Sequence, residues 1–405
     1  MGNTFKTLSD GDIVRRALAL FHNESKFLKT INKQYDSRFA VEGAKNGGTL
    51  LIRDPNQYTV TTGATMTAQD VAETTQTLTV ATQKHIGMNF TSVERTMSVD
   101  DFEERYLKPA MSRLAADVEY TCLSQMYKDV FNLSGTPATT PASLAAVLNA
   151  GAKLSQWLAP MSNRSILLDS VAMAATVNGI GTYFHKSSEI EKGFSDGVLG
   201  RAGGFDFYES NMVPSHTNGS RDDTTPVSDT SGWANGDTTI TTTGMDNLAT
   251  LTAGDVFTVA GVYAVNPETK QAYSHLQQFV VRTAKTCDQT DVIDVAPTIY
   301  ISGAKQNVSV TSAGSSACVF VAAGGSGAAS TAYTQNLAYH RDAFTFVSAD
   351  LFKSNVDQMS SAVLDNVSMR LWRGSDIVND KHPVRLDVLF GYKTIRPEWC
   401  VRVRG

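Results

Sequence analysis

Apolar residues recur at every fourth position from Phe102 through Tyr106, Ala110, Leu114, Val118, Cys122, Met126 and Val130. That spacing marks one face of a helix, drifting slowly around its axis. Ser98-Val-Asp-Asp101 precedes the stripe as an N-cap serine with acidic residues in the first turn, where negative charge meets the positive end of the helix dipole. Together they predict a helix over residues 98–132, roughly 50 Å long. It exceeds the usual length of about 11–12 residues, so it predicts a spine and not a routine packing element. Pro109 lies inside it, lacks the N–H for the preceding turn, and predicts a bend near Arg105–Tyr106. Phe102, Tyr106, Leu114, Val118 and Met126 are the candidate spine core.

Upstream, Ile13, Ala17, Leu20 and Phe21 put a short apolar stripe on a charged segment that closes in Gly43-Ala-Lys-Asn-Gly-Gly48. The pattern predicts one amphipathic helix leading into an exposed arm. Its stripe is buried either on the chain's own domain or on a neighbour. An arm has little of its own to cover an apolar face, which makes Ile13, Leu20 and Phe21 candidate contacts to another subunit. From Thr49 to Asn89 the composition turns to Thr, Val and Gln, with strand-like pieces at 49–52, 77–82 and 85–90 around a polar middle, Asn56–Thr75. This predicts a long two-stranded hairpin. A hairpin alone is marginal in water, so a partner surface is expected, with Arg53, Asp54 and Tyr58 as candidate contacts.

Beyond the spine, residues 142–158 and 169–178 carry helical spacing around a strand-like Ser165–Leu168, and Gly203–Pro214 alternates apolar and polar positions before a turn. After Pro214 the text shifts to Thr, Ser, Gly and Asp. Short strand candidates follow at 255–262, 278–282, 291–295, 306–310 and 318–321, the spacing of a small antiparallel barrel. The Gly-, Ala- and Ser-rich run Ala322–Thr331 predicts an exit linker, and core-like strands resume at 344–347, 385–392 and 399–403. The reading is an α+β core interrupted by a β domain at roughly 217–335.

At 405 residues the chain accommodates two or three compact units. Its 42% hydrophobic and 19% charged residues are those of a folded protein. With 35 Lys and Arg against 40 Asp and Glu, the net charge of −5 gives no global positive field toward nucleic acid or acidic membranes. No run approaches the roughly 18 apolar residues of a membrane span and no apolar leader opens the sequence, so a soluble, cytosolic chain is expected. Cys122, Cys287, Cys318 and Cys400 lie far apart without a C-x-x-C pair, predicting four buried, reduced thiols.

Candidate chemistry is sparse. His22, His85, His185, His216, His275, His340 and His382 sit in no recognisable catalytic or zinc-binding motif, and no phosphate-binding loop or nucleophile elbow occurs. Gly197-Val-Leu-Gly-Arg-Ala-Gly203 misses dinucleotide spacing and reads as a loop. Asp100–Asp101 and Glu103–Glu104 suit a helix N-terminus, and Asp222–Asp223 reads as solvated charge, so no metal is expected. Arg396-Pro-Glu-Trp-Cys-Val-Arg-Val-Arg404 reads as a terminal strand with solvated arginines.

Several stretches carry a resemblance. Gly204-Phe-Asp-Phe-Tyr-Glu-Ser-Asn-Met-Val-Pro214, Leu251-Thr-Ala-Gly-Asp-Val-Phe-Thr-Val-Ala-Gly-Val262 and Tyr392-Lys-Thr-Ile-Arg-Pro-Glu398 stand in the order found in tailed-phage major capsid proteins, which share the Hong Kong 97 fold. The second and third are similar to the coat-protein group of short-tailed Salmonella phages. The resemblance implies an N-terminal arm at 1–48, an E-loop at 49–90 and a peripheral domain with the spine helix at 91–141. It further implies an axial domain at 142–216, an inserted antiparallel β-barrel at 217–335, and at 336–405 the second axial part with the C-terminal strand.

The implied function is a major capsid protein, not an enzyme, that self-assembles into hexamers and pentamers of an icosahedral head. Arms and hairpins left unsatisfied within one chain bury themselves on neighbours, and cyclic association then produces rings. The implied product is a virion capsid, assembled in the bacterial cytoplasm, enclosing double-stranded DNA without strong specific binding. Scaffolding and portal proteins are implied partners, with no cofactor, metal or membrane. The alternative is a β-rich surface or secreted protein whose half at 215–335 binds a ligand; the missing leader weighs against it.

Overall fold

The computed structural model describes residues 10–34, 49–66, 68–69, 73–91, 103–137, 139–181, 200–220, 226–228, 233–309, 316–321, 332–351, 358–376 and 378–405. Contacts divide the chain into two compact units, Met1–Arg53 with Thr75–Cys122 and Phe344–Lys393, and Asp54–Thr74 with Leu123–Ala343 and Thr394–Gly405.

The first unit is organised around the strand Lys381–Thr394. Thr82–Thr91 pairs with it antiparallel, from Phe390 opposite Thr82 to Lys381 opposite Thr91. Val367–Arg373 pairs with it as well and forms a hairpin with Gln358–Leu364. The hairpin turns at Asp365 and Asn366, both at positive φ (48° and 61°), a conformation these two residue types tolerate. Phe344–Ala349 and the parallel strand Asn32–Gln34 complete the sheet.

The N-terminal helix Asp10–Glu24 packs on this hairpin, burying Ile13, Val14, Ala17, Leu18 and Phe21. The buried Lys33 is ion-paired to Asp365, and Asn366 Nδ2 donates to the Lys33 carbonyl at 3.0 Å, so the turn also anchors the segment after the helix. This corrects the expectation that Ile13 and Phe21 face a neighbour. The hairpin at 358–373 supplies the cover within the same unit, and only Leu20 stays half-buried. A second correction concerns residues 336–405, read as axial: Phe344–Lys393 instead joins the N-terminal helix, because its strands pair with Asn32–Gln34 and Thr82–Thr91.

Within the spine, Glu103–Leu107 forms one π-helical turn and Lys108–Met126 an α-helix, about 28 Å long by its rise per residue. The wider turn ends just before Pro109, whose ring leaves no room or donor for a regular turn there. Ala110, Leu114, Val118, Cys122, Met126 and Val130 are buried, joined by Leu107, Met111, Ala115 and Leu123. Tyr106 is 51% exposed, a correction to its place in the core. A π turn holds more residues than an α turn, so the four-residue register slips and Leu107 takes the inward position. Phe102 and Ser98–Asp101 lie outside the described residues.

In the second unit a mixed sheet runs in the order Leu133–Ser134, Cys400–Val403, Asn336–His340, Arg164–Leu168, Phe205–Glu209, Arg201–Ala202. Helix Leu144–Gln156 begins at Ser143, whose hydroxyl accepts from Ala146 N at 3.3 Å, as an N-cap should. With helix Ser170–Gly181 it contributes Val147, Ala150, Leu154, Ala172 and Met173 to a core with Ile166, Leu168, Phe205 and Val401. Ser215–Thr217 and Ala332–Thr334 pair antiparallel, so the chain enters and leaves the insertion side by side.

Between them Val227–Ser228, Asp237–Thr243, Thr290–Ile299, Ala272–Val281, Val256–Val265 and Cys318–Phe320 form an antiparallel sheet in that order. A bridge from Val227 to Ala317 brings its edges together, and Phe257, Phe279, Ile293, Val295 and Phe320 fill the interior. Strand Thr290–Ile299 alternates inward and outward as a barrel wall requires. The expected strand at 306–310 reduces to a bridge between Ala264 and Val308, because the Asn307 side chain takes the Tyr300 N–H and the Thr298 carbonyl. The acidic pair Asp222–Asp223, the segment 182–199 and the run 322–331 lie outside the described residues.

Candidate assembly surface and barrel root

The hairpin stem pairs Thr49–Arg53 with Thr75–Thr79, from Thr49 opposite Thr79 to Arg53 opposite Thr75. One face is satisfied at home, since Leu50 and Ile52 pack with Leu78, Val80, Val347, Ala349 and Leu389. Leu51 on the other face is exposed. Beyond the stem, Gln69 bonds both backbone groups of Thr59, a cross-tie between the two sides of the excursion. Tyr58 is 64% exposed, Val60 94% and Met66 87%. Arg53 is exposed and Asp54 half-buried at the base. The sequence pointed to the polar middle and to Tyr58 but passed over Val60 and Met66, whose signal was their apolar character within that polar run.

A buried charge cluster joins three strands of the first unit. Asp387 accepts from Arg370 Nη2 at 2.8 Å, Arg385 Nε at 2.6 Å and Gln83 Nε2 at 3.1 Å. Burial works to raise the Asp387 pKa, but the three donors outweigh it and hold the carboxyl below its ordinary value.

The root of the barrel holds a second cluster. His216, on the entry strand, lies between Tyr127, at the end of the spine, and Asp255, at the start of a barrel strand. Its Nδ1 is 3.1 Å from Tyr127 Oη and its Nε2 2.9 Å from Asp255 Oδ1. The other Asp255 oxygen accepts from Gly219 N at 3.2 Å and Thr252 N at 3.0 Å. Gly254 is required beside it, with φ +106° and the His216 ring 3.1 Å from where a Cβ would stand.

From the C-terminal strand Arg402, wholly buried, donates to Gly254 O at 2.7 Å and Tyr127 O at 2.9 Å. Arg404 donates to Thr334 O at 2.7 Å and stacks on Tyr333 at 3.9 Å. Burial pulls the Arg404 pKa down to about 9. The expectation of solvated C-terminal arginines is corrected: these buried side chains tie the last strand to the barrel root through backbone carbonyls that take Arg402 Nη1, Arg402 Nη2 and Arg404 Nη1, while Arg402 Nε, Arg404 Nε and Arg404 Nη2 find no acceptor among the described residues. A lone Arg-x-Arg ending gives no sign of this, because the carbonyls come from residues far away in sequence.

Beside the root, Lys153 donates to Leu133 O and Gln278 Oε1, each at 2.6 Å, and burial lowers its pKa to about 8. Phe131, Val256, Val280 and Ala296 form an apolar seam with Trp157 and Val321. Polar and apolar contacts thus fasten the barrel to the rest of its unit.

All four cysteines are buried and unpaired with one another. Burial pushes the Cys318 thiol up to about 12 and raises Cys122 and Cys400 as well, which suppresses the reactive thiolate. Among the described residues no acidic, His or Cys group is arranged to hold a metal, and no helix is long and apolar enough to cross a membrane.

An α+β core with a spine helix, an antiparallel hairpin and a barrel inserted through a paired root defines a class: a major capsid protein of the Hong Kong 97 type, a structural and non-enzymatic subunit of a phage head shell. Residues 51–405 match the family model described as P22 coat protein, gene protein 5, and the chain belongs to that family. A search of curated proteins finds no match. Among solved structures it is similar to one from Mycobacterium phage Che8, at 12% identity, over 93% of this chain and 90% of that one, TM-score 0.47. It is also similar to the mature capsid of bacteriophage PhiM1, at 10% identity, 99% and 90% coverage and TM-score 0.43. The assignment rests on the family match. As a capsid protein the chain assembles with copies of itself and resides in the virion shell.

Proposed function

We propose that copies of this chain join through the hairpin at 49–79 into the hexamers and pentamers of an icosahedral head that encloses double-stranded DNA. Scaffolding and portal proteins take part, and assembly proceeds in the host cytoplasm. The observation that supports this reading is the hairpin tip, where Tyr58, Val60 and Met66 stand exposed beyond a stem whose other face is already packed. Exposed apolar groups on a shaped element are favourable only when a second surface covers them. Arg53, Asp54 and Leu20 are the accompanying contacts. Each contact can be weak, because one subunit touching several neighbours adds contacts with little further loss of translational freedom. A net charge of −5 suits a container that releases its DNA.

Replacing residues 56–74 by a short Gly-Ser link tests the assignment. The expected variant is a folded, soluble monomer that forms no particles. Particles indistinguishable from those of the parent chain contradict the assignment, and so does a variant with no folded monomer, which places the hairpin in the subunit core.

A further inference from the structure

We infer that the barrel root is a proton-sensitive latch: neutral His216, bridging Tyr127 and Asp255, holds the inserted barrel to the end of the spine, where Arg402 of the C-terminal strand also docks, and its protonation releases that hold. The inference goes beyond shell assembly and does not depend on how subunits meet.

The two distances are met by a neutral ring that carries its single proton on Nε2. Nε2–H donates to Asp255 Oδ1, and Nδ1 accepts from Tyr127 Oη–H. A second proton on Nδ1 turns that acceptor into a donor facing a hydroxyl already aimed at it. The groups facing His216 are Asp255 from the barrel, Arg402 and Arg404 from the C-terminal strand, Tyr127 from the end of the spine and Tyr333 from the exit strand. Two are cations. Protonation therefore places a third positive charge in a buried site whose one carboxylate among the described residues is Asp255, and two of the donors to that carboxylate are backbone amides of Gly219 and Thr252.

The balance of effects agrees with the geometry. Burial is the largest influence and lowers the His216 pKa from its ordinary 6.5; Asp255 opposes it, and the two arginines reinforce it. A base whose folded pKa is depressed contributes its full stability above the unfolded value and loses it as pH falls. The latch is thus closed above 6.5 and loosens progressively below it. The elements it releases are those His216 and its partners join: the entry strand Ser215–Thr217, the exit strand Ala332–Thr334 and the last strand Cys400–Val403.

Hydrogen exchange on the full-length, unassembled subunit at about pH 7.5 and about pH 5 reads the latch. After correction for intrinsic rates, exchange in those three strands is expected to rise several-fold at the lower pH. His216→Gln keeps a neutral donor and acceptor and removes the titration, so its exchange should not rise. Equal pH dependence in both proteins overturns the proposal. Should the variant fail to fold, nitrogen NMR of the parent ring decides: an Nε2–H tautomer that charges only below 6.5 supports the latch, and charging at or above 6.5 overturns it.

Discussion

Asp387 and Arg402 are both wholly buried, yet their surroundings follow opposite plans. Around Asp387, two arginines and a glutamine from neighbouring strands converge on one carboxylate, so the buried acid meets its counter-charge where it lies. Around Arg402, two guanidiniums rest on carbonyls and tyrosine rings, and the one acid nearby is shared with a histidine and two backbone amides. The first cluster locks a sheet. The second holds an inserted domain by a balance that one proton upsets. Burial by itself does not say whether a charge stabilises; the partners decide.

The comparison breaks most readily at its matched end. Asp387→Ala removes the carboxylate on which buried Arg370 and half-buried Arg385 converge and is expected to cost about 3–5 kcal/mol, seen as a lower denaturant midpoint of the unassembled subunit. Leu114→Ala supplies an apolar yardstick on the spine. Its side chain is buried, so lost burial plus a cavity should cost about 2–5 kcal/mol. Arg402→Met should cost less, about 1–3 kcal/mol, because the apolar stem is replaced and Tyr127 O, one of the two carbonyls that lose the guanidinium, still accepts from Val130 N at 3.0 Å. The same substitution removes a cation facing His216 and should move that histidine's pKa up toward 6.5, measurable by NMR titration.

The smallest effect separates the clusters by pH. Asp387 has a depressed carboxyl pKa, so its contribution is present above the unfolded value of 3.8 and is lost as pH falls below it. His216 loses its contribution below 6.5. Between these values the barrel root should loosen while strands Lys381–Thr394 and Val367–Arg373 keep their exchange protection. Simultaneous loss in both regions contradicts the distinction.

How much of this was legible follows the range of the interactions. Local periodicity gave the spine, the hairpin stem, the helices at 144–156 and 170–181 and the barrel strands, because side-chain spacing is set by the backbone repeat. The destination of residues 344–393 was not legible: strand pairing across hundreds of residues leaves no local trace, so their sheet was assigned to the wrong unit. Ile13 and Phe21 failed for the same reason, since their stripe was readable but its cover at 358–373 was distant. Tyr106 failed locally, where Pro109 induced a π turn and broke the four-residue count. Arg402 and His216 were seen as an unremarkable strand residue and a histidine without a motif, and only the fold brings them together.

Particle sizing of the purified full-length chain, by light scattering and electron microscopy across a range of concentrations, addresses the central claim most directly. A shell subunit is expected to form uniform closed particles of many copies above a threshold concentration. A single small species at every concentration, or open aggregates without a defined size, contradicts it.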